Sequence, residues 1–380
     1  MKKNTYLAKT FHGLEPILAQ EMEALGLTDI KPVRRGVLFS GEQADVYRAN
    51  LWLRTALRIL VPIHEFEARD EKSLYRGVQD LNWSQYLRLQ QTFVIDTTVK
   101  SEIFTHSHFV ALKAKDAIVD QFRRHTGQRP SIDTQSPDVR VHLYVNDRQV
   151  RVMLDSSGET LHRRGYRQES RRAPLNEVLA AGMLYLSGWQ PGTPLIDPMC
   201  GSGTLPIEAA LISARIAPGL IRRHFGFAQW TDYDRDLWQG LLKEARQARQ
   251  PIETPIYARE EHGPTLGAAR RNATDARVER YIQFDKADFL EADAPPQPGL
   301  LIMNPPYGER MGSDIEALYR AIGDTFKQRY AGYQAWIVSS NLDALKRVGL
   351  KPFKKYTLYN GQLPVKFQGY ELYAGKKEEG

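Results

Sequence analysis

The chain has 380 residues, 42% of them hydrophobic and 26% charged, with 52 Lys and Arg against 45 Asp and Glu and a formal net charge of +7. That length allows two or three domains with cores of their own, and the basic balance suits a nucleic-acid partner without requiring one. No apolar run reaches the roughly 18 to 20 residues of a membrane span, and Met1-Lys2-Lys3 leads into no apolar block, so a cytoplasmic protein with no membrane association or signal peptide is expected. The single cysteine, Cys200, excludes an internal disulfide framework and a Cys-based zinc site, and no metal is expected.

Residues 1–63 read as a small α/β unit. Tyr6 to Ala8 form a strand; Leu14, Ile17, Leu18, Met22 and Leu25 recur at helical spacing before Gly26; Val37 to Phe39 form a second strand and Ala44 to Leu60 a second helix. This order suggests a ferredoxin-like layer with its helices on one face of a sheet.

Residues 64–165 differ. A helical pattern through Leu74, Val78, Leu81 and Tyr86 precedes a strand at Thr92 to Lys100 and an amphipathic helix at Phe109 to Arg124. Val139, Val141, Leu143 and Val145 then alternate with polar residues, Asn146-Asp147 turns the chain, and Val150, Val152 and Leu154 return as a hairpin. Directly afterwards, residues 163–172 hold five arginines (Arg163, Arg164, Arg167, Arg171 and Arg172) against one acid, Glu169, with Tyr166 among them. Such a stretch is either a solvated linker or a set of RNA phosphate contacts.

From residue 166 to 380 the pattern is α/β. A helix through Leu175 to Leu184 precedes the apolar run at Leu195, and Ala209 to Ile216 belong to the helix that follows its loop. Residues 217–250 form an insertion rich in aromatics and arginines, which can either shape an RNA site or pack as core. Further strands are expected at Ile256 to Ala258, Tyr281 to Phe284, Leu300 to Met303 and Ala335 to Ser339. A closing pair, Tyr356 to Tyr359 and Val365 to Leu372, is joined through Asn360-Gly361. The tail from Lys376 to Gly380 is expected to be disordered.

Two loops carry the chemistry. Leu195-Ile-Asp-Pro-Met-Cys-Gly-Ser-Gly-Thr204 is a strand that ends in an acid and then turns into a helix through Gly201 and Gly203, the way a Rossmann-like sheet presents backbone amides to a ligand. The third glycine of the dinucleotide fingerprint is missing. About a hundred residues on, Leu300-Leu-Ile-Met-Asn-Pro-Pro-Tyr307 ends a second apolar run in a polar and aromatic tetrad. Together they look like the cofactor and catalytic loops of an S-adenosylmethionine-dependent methyltransferase acting on an amino nitrogen. On this view Asp197 accepts from the cofactor's amino group, or instead caps the loop, and Met199, Cys200, Gly201, Gly203, Thr204 and Asn304 line the cofactor. Glu260, with Glu261 as its competitor, takes the ribose hydroxyls, and Asp288 and Phe289 hold the adenine. Cys200 itself reads as packing rather than as a nucleophile.

An exocyclic amine is a poor nucleophile because its lone pair is delocalised into the ring. Hydrogen bonds from that amine to the Asn304 side chain and the Pro305 carbonyl, with Pro306 counted in the same catalytic loop, localise the lone pair and aim it, so positioning and electrostatics do most of the work. Tyr307 offers a face on which a flipped base stacks, worth roughly 1–3 kcal/mol.

The order of elements ending in Leu161-His-Arg-Arg-Gly-Tyr-Arg167 resembles a THUMP domain, an RNA-binding module. The whole chain is similar to the THUMP-containing RNA guanine-N2 methyltransferases of the bacterial RlmL type. The motifs that carry the likeness are Asp197 to Thr204, Asn304 to Arg310, Leu161 to Arg167 and Ala173-Pro-Leu-Asn-Glu177. The second strand departs from the family pattern, with Ala258-Arg-Glu-Glu-His262 where Gly-Ser-Asp is usual. The resemblance implies an α/β fold: a Rossmann-like class I methyltransferase domain behind a ferredoxin-like and THUMP RNA-binding region. It also implies S-adenosylmethionine as cofactor and structured RNA (ribosomal above all) as partner; a monomer is expected, although the sequence itself does not set the oligomeric state. A second, fused methyltransferase is not expected in 380 residues. Transfer-RNA guanine-N2 chemistry, adenine-N6 chemistry and a non-catalytic RNA assembly factor are the competing readings. A nicotinamide oxidoreductase is disfavoured by the missing third glycine and second-strand aspartate.

Overall fold

A computed structural model describes residues 4–167, 175–306 and 314–373. Arg171, Arg172, Tyr307 and the tail from Lys376 lie outside them. The chain forms two compact units, one of Met1–Thr10, Glu21–Leu161 and Arg222–Lys243, the other of Phe11–Gln20, His162–Ile221 and Glu244–Gly380. Among the described residues no helix is long and apolar enough to cross a membrane.

The first unit is built on eight strands: β1 (Asn4–Lys9), β2 (Thr28–Val33), β3 (Gly36–Gly41), β4 (Arg58–Glu67), β5 (Thr92–Lys100), β6 (Ser131–Ile132), β7 (Val139–Asn146) and β8 (Gln149–Asp155). They lie in the order β2-β3-β1-β4-β8-β7-β5-β6. Strands β5 and β7 run parallel, as a crossover through the helix Ser107–Thr126 requires, and β7–β8 is the expected hairpin. Its two-residue loop is Asp147-Arg148, one residue later than expected, with Asp147 in the left-handed region at φ 51°.

The helix expected through Leu60 stops at Trp52. The Arg54 and Thr55 amides donate at 2.9 Å each to the half-buried Glu21 carboxylate instead of continuing a helix, and by Arg58 the chain is in β4. The apolar spacing of Leu57, Ile59, Leu60 and Ile63 fits either period, and a distant acid decides. Pro62 sits inside β4 without an amide to donate, and the register against β8 shifts between Pro62 and His64.

The 222–243 stretch belongs to this first unit, and its Phe225, Phe227, Trp230 and Trp238 are core, with Tyr233 half-buried. Phe227 stacks on Tyr47 at 4.2 Å between centroids, and the Trp238 edge meets Phe227 at 5.0 Å, all three buried.

The second unit carries seven strands: β9 (Leu195–Asp197), β10 (Ile256–Glu260), β11 (Ile282–Lys286), β12 (Leu300–Met303), β13 (Gln334–Ser339), β14 (Lys354–Asn360) and β15 (Leu363–Glu371), ordered β11-β10-β9-β12-β13-β15-β14. The first five are parallel, and β15 returns antiparallel against β13 and β14. Strands β9, β12 and β13, in the middle of the sheet, are almost continuously buried, as strands covered on both faces must be, whereas the edge strand β11 alternates between buried and exposed residues. The chain steps outward from β9 to β11 and then resumes on the other side of β9 with β12. That reversal opens a crevice at the carboxyl ends of β9 and β12, where such sheets bind ligands.

Candidate active site

Leu195 and Ile196 pair with Leu300 and Leu301, so the loops after Asp197 and after Met303 leave the same sheet edge from neighbouring strands. Strands pair about 4.8 Å apart, which sets the scale of the separation. The two chemistry-bearing loops, a hundred residues apart in sequence, therefore share one crevice.

The first loop is held from several sides. Gly201 and Gly203 take φ 54° and 85°, where side chains are rarely accommodated, and a Cβ on Gly203 would stand 3.1 Å from that of Ala269. The Cys200 amide donates to the Arg259 carbonyl at 2.8 Å, and Asn272 donates to the Ser202 carbonyl at 2.9 Å. Glu260, at the end of β10, accepts from the amides of Gly201 and His262 at 3.1 Å each, whereas Glu261 is exposed. Cys200 is buried, and burial, then the Asp197 and Glu260 charges, push its thiol well up, which suits packing rather than nucleophilic chemistry. Met199 packs beside the core, and Thr204 begins the helix Thr204–Ser213.

Two acceptors in the crevice lack a partner that their chemistry calls for. Asp197 is 1% exposed and, among the described residues, forms no ion pair; its one hydrogen bond comes from the Met199 amide at 3.3 Å. Burial raises its carboxyl well above the usual range, the Glu260 charge adds to that, and the Met199 amide opposes it. The Oδ1 atom of Asn304 is fully buried and accepts no hydrogen bond among the described residues. An orphaned buried acceptor is rare and asks for an absent donor. An ammonium group at Asp197 and an amine at Asn304 meet these needs, so the residues fit an S-adenosylmethionine amino-acid tail and an amino substrate. Pro305 is buried and Pro306 exposed beside Asn304.

Asp288 lies after β11 and is half-buried, its carboxylate accepting from the Leu290 amide at 2.8 Å. Phe289 is a correction to the expectation of an adenine wall. Its ring is 2% exposed and packs inward on Tyr330 and Phe326 at 5.5 and 5.9 Å, because the apolar side chain is worth more in the core than at a polar crevice. It anchors the Asp288 loop and presents no ring face to a ligand.

The arginine stretch needs a larger correction. Arg164 and Glu208 are 1% and 0% exposed and face each other at 3.4 Å, with the Tyr166 hydroxyl donating to the same carboxylate at 3.3 Å. Arg167 is mostly buried and donates to Glu177 at 2.9 Å, to the Ser202 and Thr204 hydroxyls at 2.8 Å each and to the Leu175 carbonyl at 3.3 Å. Arg164, Tyr166 and Arg167 therefore serve the interior of this unit and not RNA phosphates. Arg163 is exposed. A signal for this was present in the sequence: Glu208 is a lone acid inside Leu205-Pro-Ile-Glu-Ala-Ala-Leu-Ile212, and a buried acid demands a cation.

Residues 164–368 match the family model of the RMKL-like methyltransferase domain, residues 5–60 that of the RlmL ferredoxin-like domain and residues 68–155 that of the THUMP domain. A proposed RNA methyltransferase of Synechocystis is 41% identical over 97% of both chains. The ribosomal RNA large subunit methyltransferase K/L of Syntrophotalea carbinolica is 40% identical over 97% of this chain, which spans about half of that relative, 53%. A crystal structure of a proposed methyltransferase complexed with S-adenosylhomocysteine is 33% identical, superposes with a TM-score of 0.86 and covers 100% of both chains. The chain belongs to the RMKL-like methyltransferase family, as an RNA methyltransferase with a THUMP domain whose cofactor is S-adenosylmethionine.

Proposed function

We propose that the protein methylates the 2-amino group of a guanosine in large-subunit ribosomal RNA. When bound, the cofactor supplies an electrophilic methyl group on a sulfonium. The chain's residues do the rest. Asp197 takes the cofactor's ammonium, the amides around Gly201 and Gly203 let it approach, Glu260 takes the ribose diol and Asp288 the adenine amine. Asn304 Oδ1 and the Pro305 carbonyl accept from the substrate amine and hold its lone pair toward the methyl group. Tyr307 supplies the stacking face, and Arg163, Arg171 and Arg172 contact phosphates. The reading includes a metal-free monomer in the cytoplasm, where bacterial ribosomes assemble.

The observation that carries this reading is the orphaned Asn304 oxygen at the end of the strand paired with β9. Asn304→Ala should lower methyl transfer by roughly a hundredfold or more, the scale for losing one placed polar group, while cofactor affinity stays nearly constant. An unchanged transfer rate refutes the role. Nucleoside analysis of the product should show N2-methylguanosine, and N6-methyladenosine would select the adenine reading instead.

A further inference from the structure

The second unit has a cationic surface that the proposed chemistry does not use. Its parallel strands begin at Leu195, Ile256 and Ile282, opposite the crevice, and five arginines gather around those beginnings. Arg215 follows the helix Thr204–Ser213, Arg246 lies in the last turn of the helix Arg235–Gln247, and Arg249 comes just after it. Arg277 follows the helix Gly263–Asp275, and Arg280 precedes β11. The Gln250 amide donates to the Ala214 carbonyl at 3.0 Å, which draws the Arg249 and Arg215 segments together. All five are exposed. Among the described residues none is in an ion pair with an acid, while the nearby Glu279 carboxylate accepts from Thr274 instead. Partial desolvation, then the charges of Arg277, Arg246 and Arg280, lower the pKa of Arg249, as expected for like charges crowded together, with Tyr281 opposing.

Two features separate this surface from ordinary compensation of helix dipoles at their C-termini. Arg215 and Arg277 hold φ 48° and 60°, positions after a helix that glycine normally takes and that strain a side chain. A dipole could be compensated from the preceding turn without that cost. The Arg280 guanidinium also lies 4.7 Å over the Tyr281 ring, placing a π-surface within the cluster. A row of guanidiniums without acidic partners around an aromatic ring, Arg280 also donating to the Tyr281 hydroxyl at 2.6 Å, matches phosphates and sugars of a polyanion.

We propose that Arg215, Arg246, Arg249, Arg277 and Arg280 form a second RNA-docking surface, at the amino edge of the methyltransferase sheet, which grips substrate phosphates away from the reacting atoms. It rests on the RNA methyltransferase reading above. Strand β10, of five residues, puts roughly 16 Å between this edge and the crevice, so the surface positions RNA and takes no part in the chemistry.

The test uses the full chain and an in vitro transcript of large-subunit ribosomal RNA, titrated by fluorescence anisotropy over a range of salt. The variant R249Q/R277Q/R280Q should bind about tenfold or more weakly near 0.15 M salt. Its slope of log affinity against log salt should be shallower by about 2 to 3, from roughly 0.7 to 0.9 per phosphate lost. Methylation at saturating RNA and cofactor affinity by calorimetry should not change. R215G/R277G, in which glycine suits the backbone, should also weaken RNA binding while keeping or raising the melting temperature. Wild-type affinity and slope in both variants would overturn the docking surface and leave the enzyme reading standing. Failure of the wild type to bind the transcript would overturn both.

Discussion

The Arg167 guanidinium donates to the Thr204 hydroxyl at 2.8 Å, fastening the arginine-rich stretch onto the first turn of the helix behind the cofactor loop. The same guanidinium reaches Ser202, Glu177 and Leu175, so one planar group braces the loop and the start of the helix Glu177–Leu186. Arg167→Ala should lower cofactor affinity by about tenfold or more, the scale of losing hydrogen bonds to a charged group. Turnover at saturating cofactor should fall less. Arg167→Lys should recover only part of the affinity, because an ammonium cannot span four acceptors in one plane. Titration calorimetry that gave wild-type affinity for the alanine variant would show that the brace does not order the loop.

Arg164 and Glu208 are buried together, and Tyr166 shares the carboxylate. Removing one partner strands the other charge without water. Glu208→Leu alone should cost about 3–5 kcal/mol, and replacing both members of the pair by apolar residues should recover much of that loss. Denaturant melts of the two single variants and the double variant measure this directly. Additive losses would mean that the two groups do not depend on each other.

Asp197 links cofactor binding to pH. Its folded pKa is raised, so its share of ligand-free stability is complete below the ordinary carboxylate range and is lost as pH rises through the raised value. A bound ammonium favours the ionised carboxylate, so binding should release a proton across that window and affinity should rise with pH until the carboxylate is ionised without help. Calorimetry in buffers of different ionisation enthalpy should detect the proton. Asp197→Asn should bind at least tenfold more weakly with no such release.

In the first unit His142 is buried on β7, its Nε2 3.3 Å from the Thr98 hydroxyl. Burial, followed by the Lys9 charge, lowers its pKa from 6.5 to about 4, with Asp96 opposing and Arg58 reinforcing. The folded state therefore holds fewer protons than the unfolded chain between those values. The stability this group contributes is complete above pH 6.5 and is lost as pH falls toward 4, by roughly 3 kcal/mol in all. His142→Gln should flatten the acid limb of stability against pH by about that amount. Parallel curves for variant and wild type would place the proton elsewhere.

The crevice was legible because its signals are local. Gly201 and Gly203 stand where the backbone turns left-handed, Asp197 closes an apolar strand, and Asn304 opens a Pro-Pro turn after another. Hydrophobic periodicity likewise located the β7–β8 hairpin, the β14–β15 edge and the parallel strands, since a face's burial repeats within a few residues. Glu260 and Glu261 could not be separated in sequence because neighbours on a strand end differ only in which way they point. The structure turns Glu260 to the Gly201 amide and leaves Glu261 in solvent.

What the amino-acid sequence determined alone was the chemistry available at two turns and the periods of the segments around them. Only the tertiary structure decided where long, adaptable side chains end. Arg164 meets an acid 44 residues away, Arg167 a hydroxyl 37 residues away, and Glu21 ends a helix 33 residues downstream. An arginine in water and an arginine against a buried glutamate look alike in sequence. The difference is a desolvation cost offset by a partner, and which partner arrives is set by the packing of the whole unit.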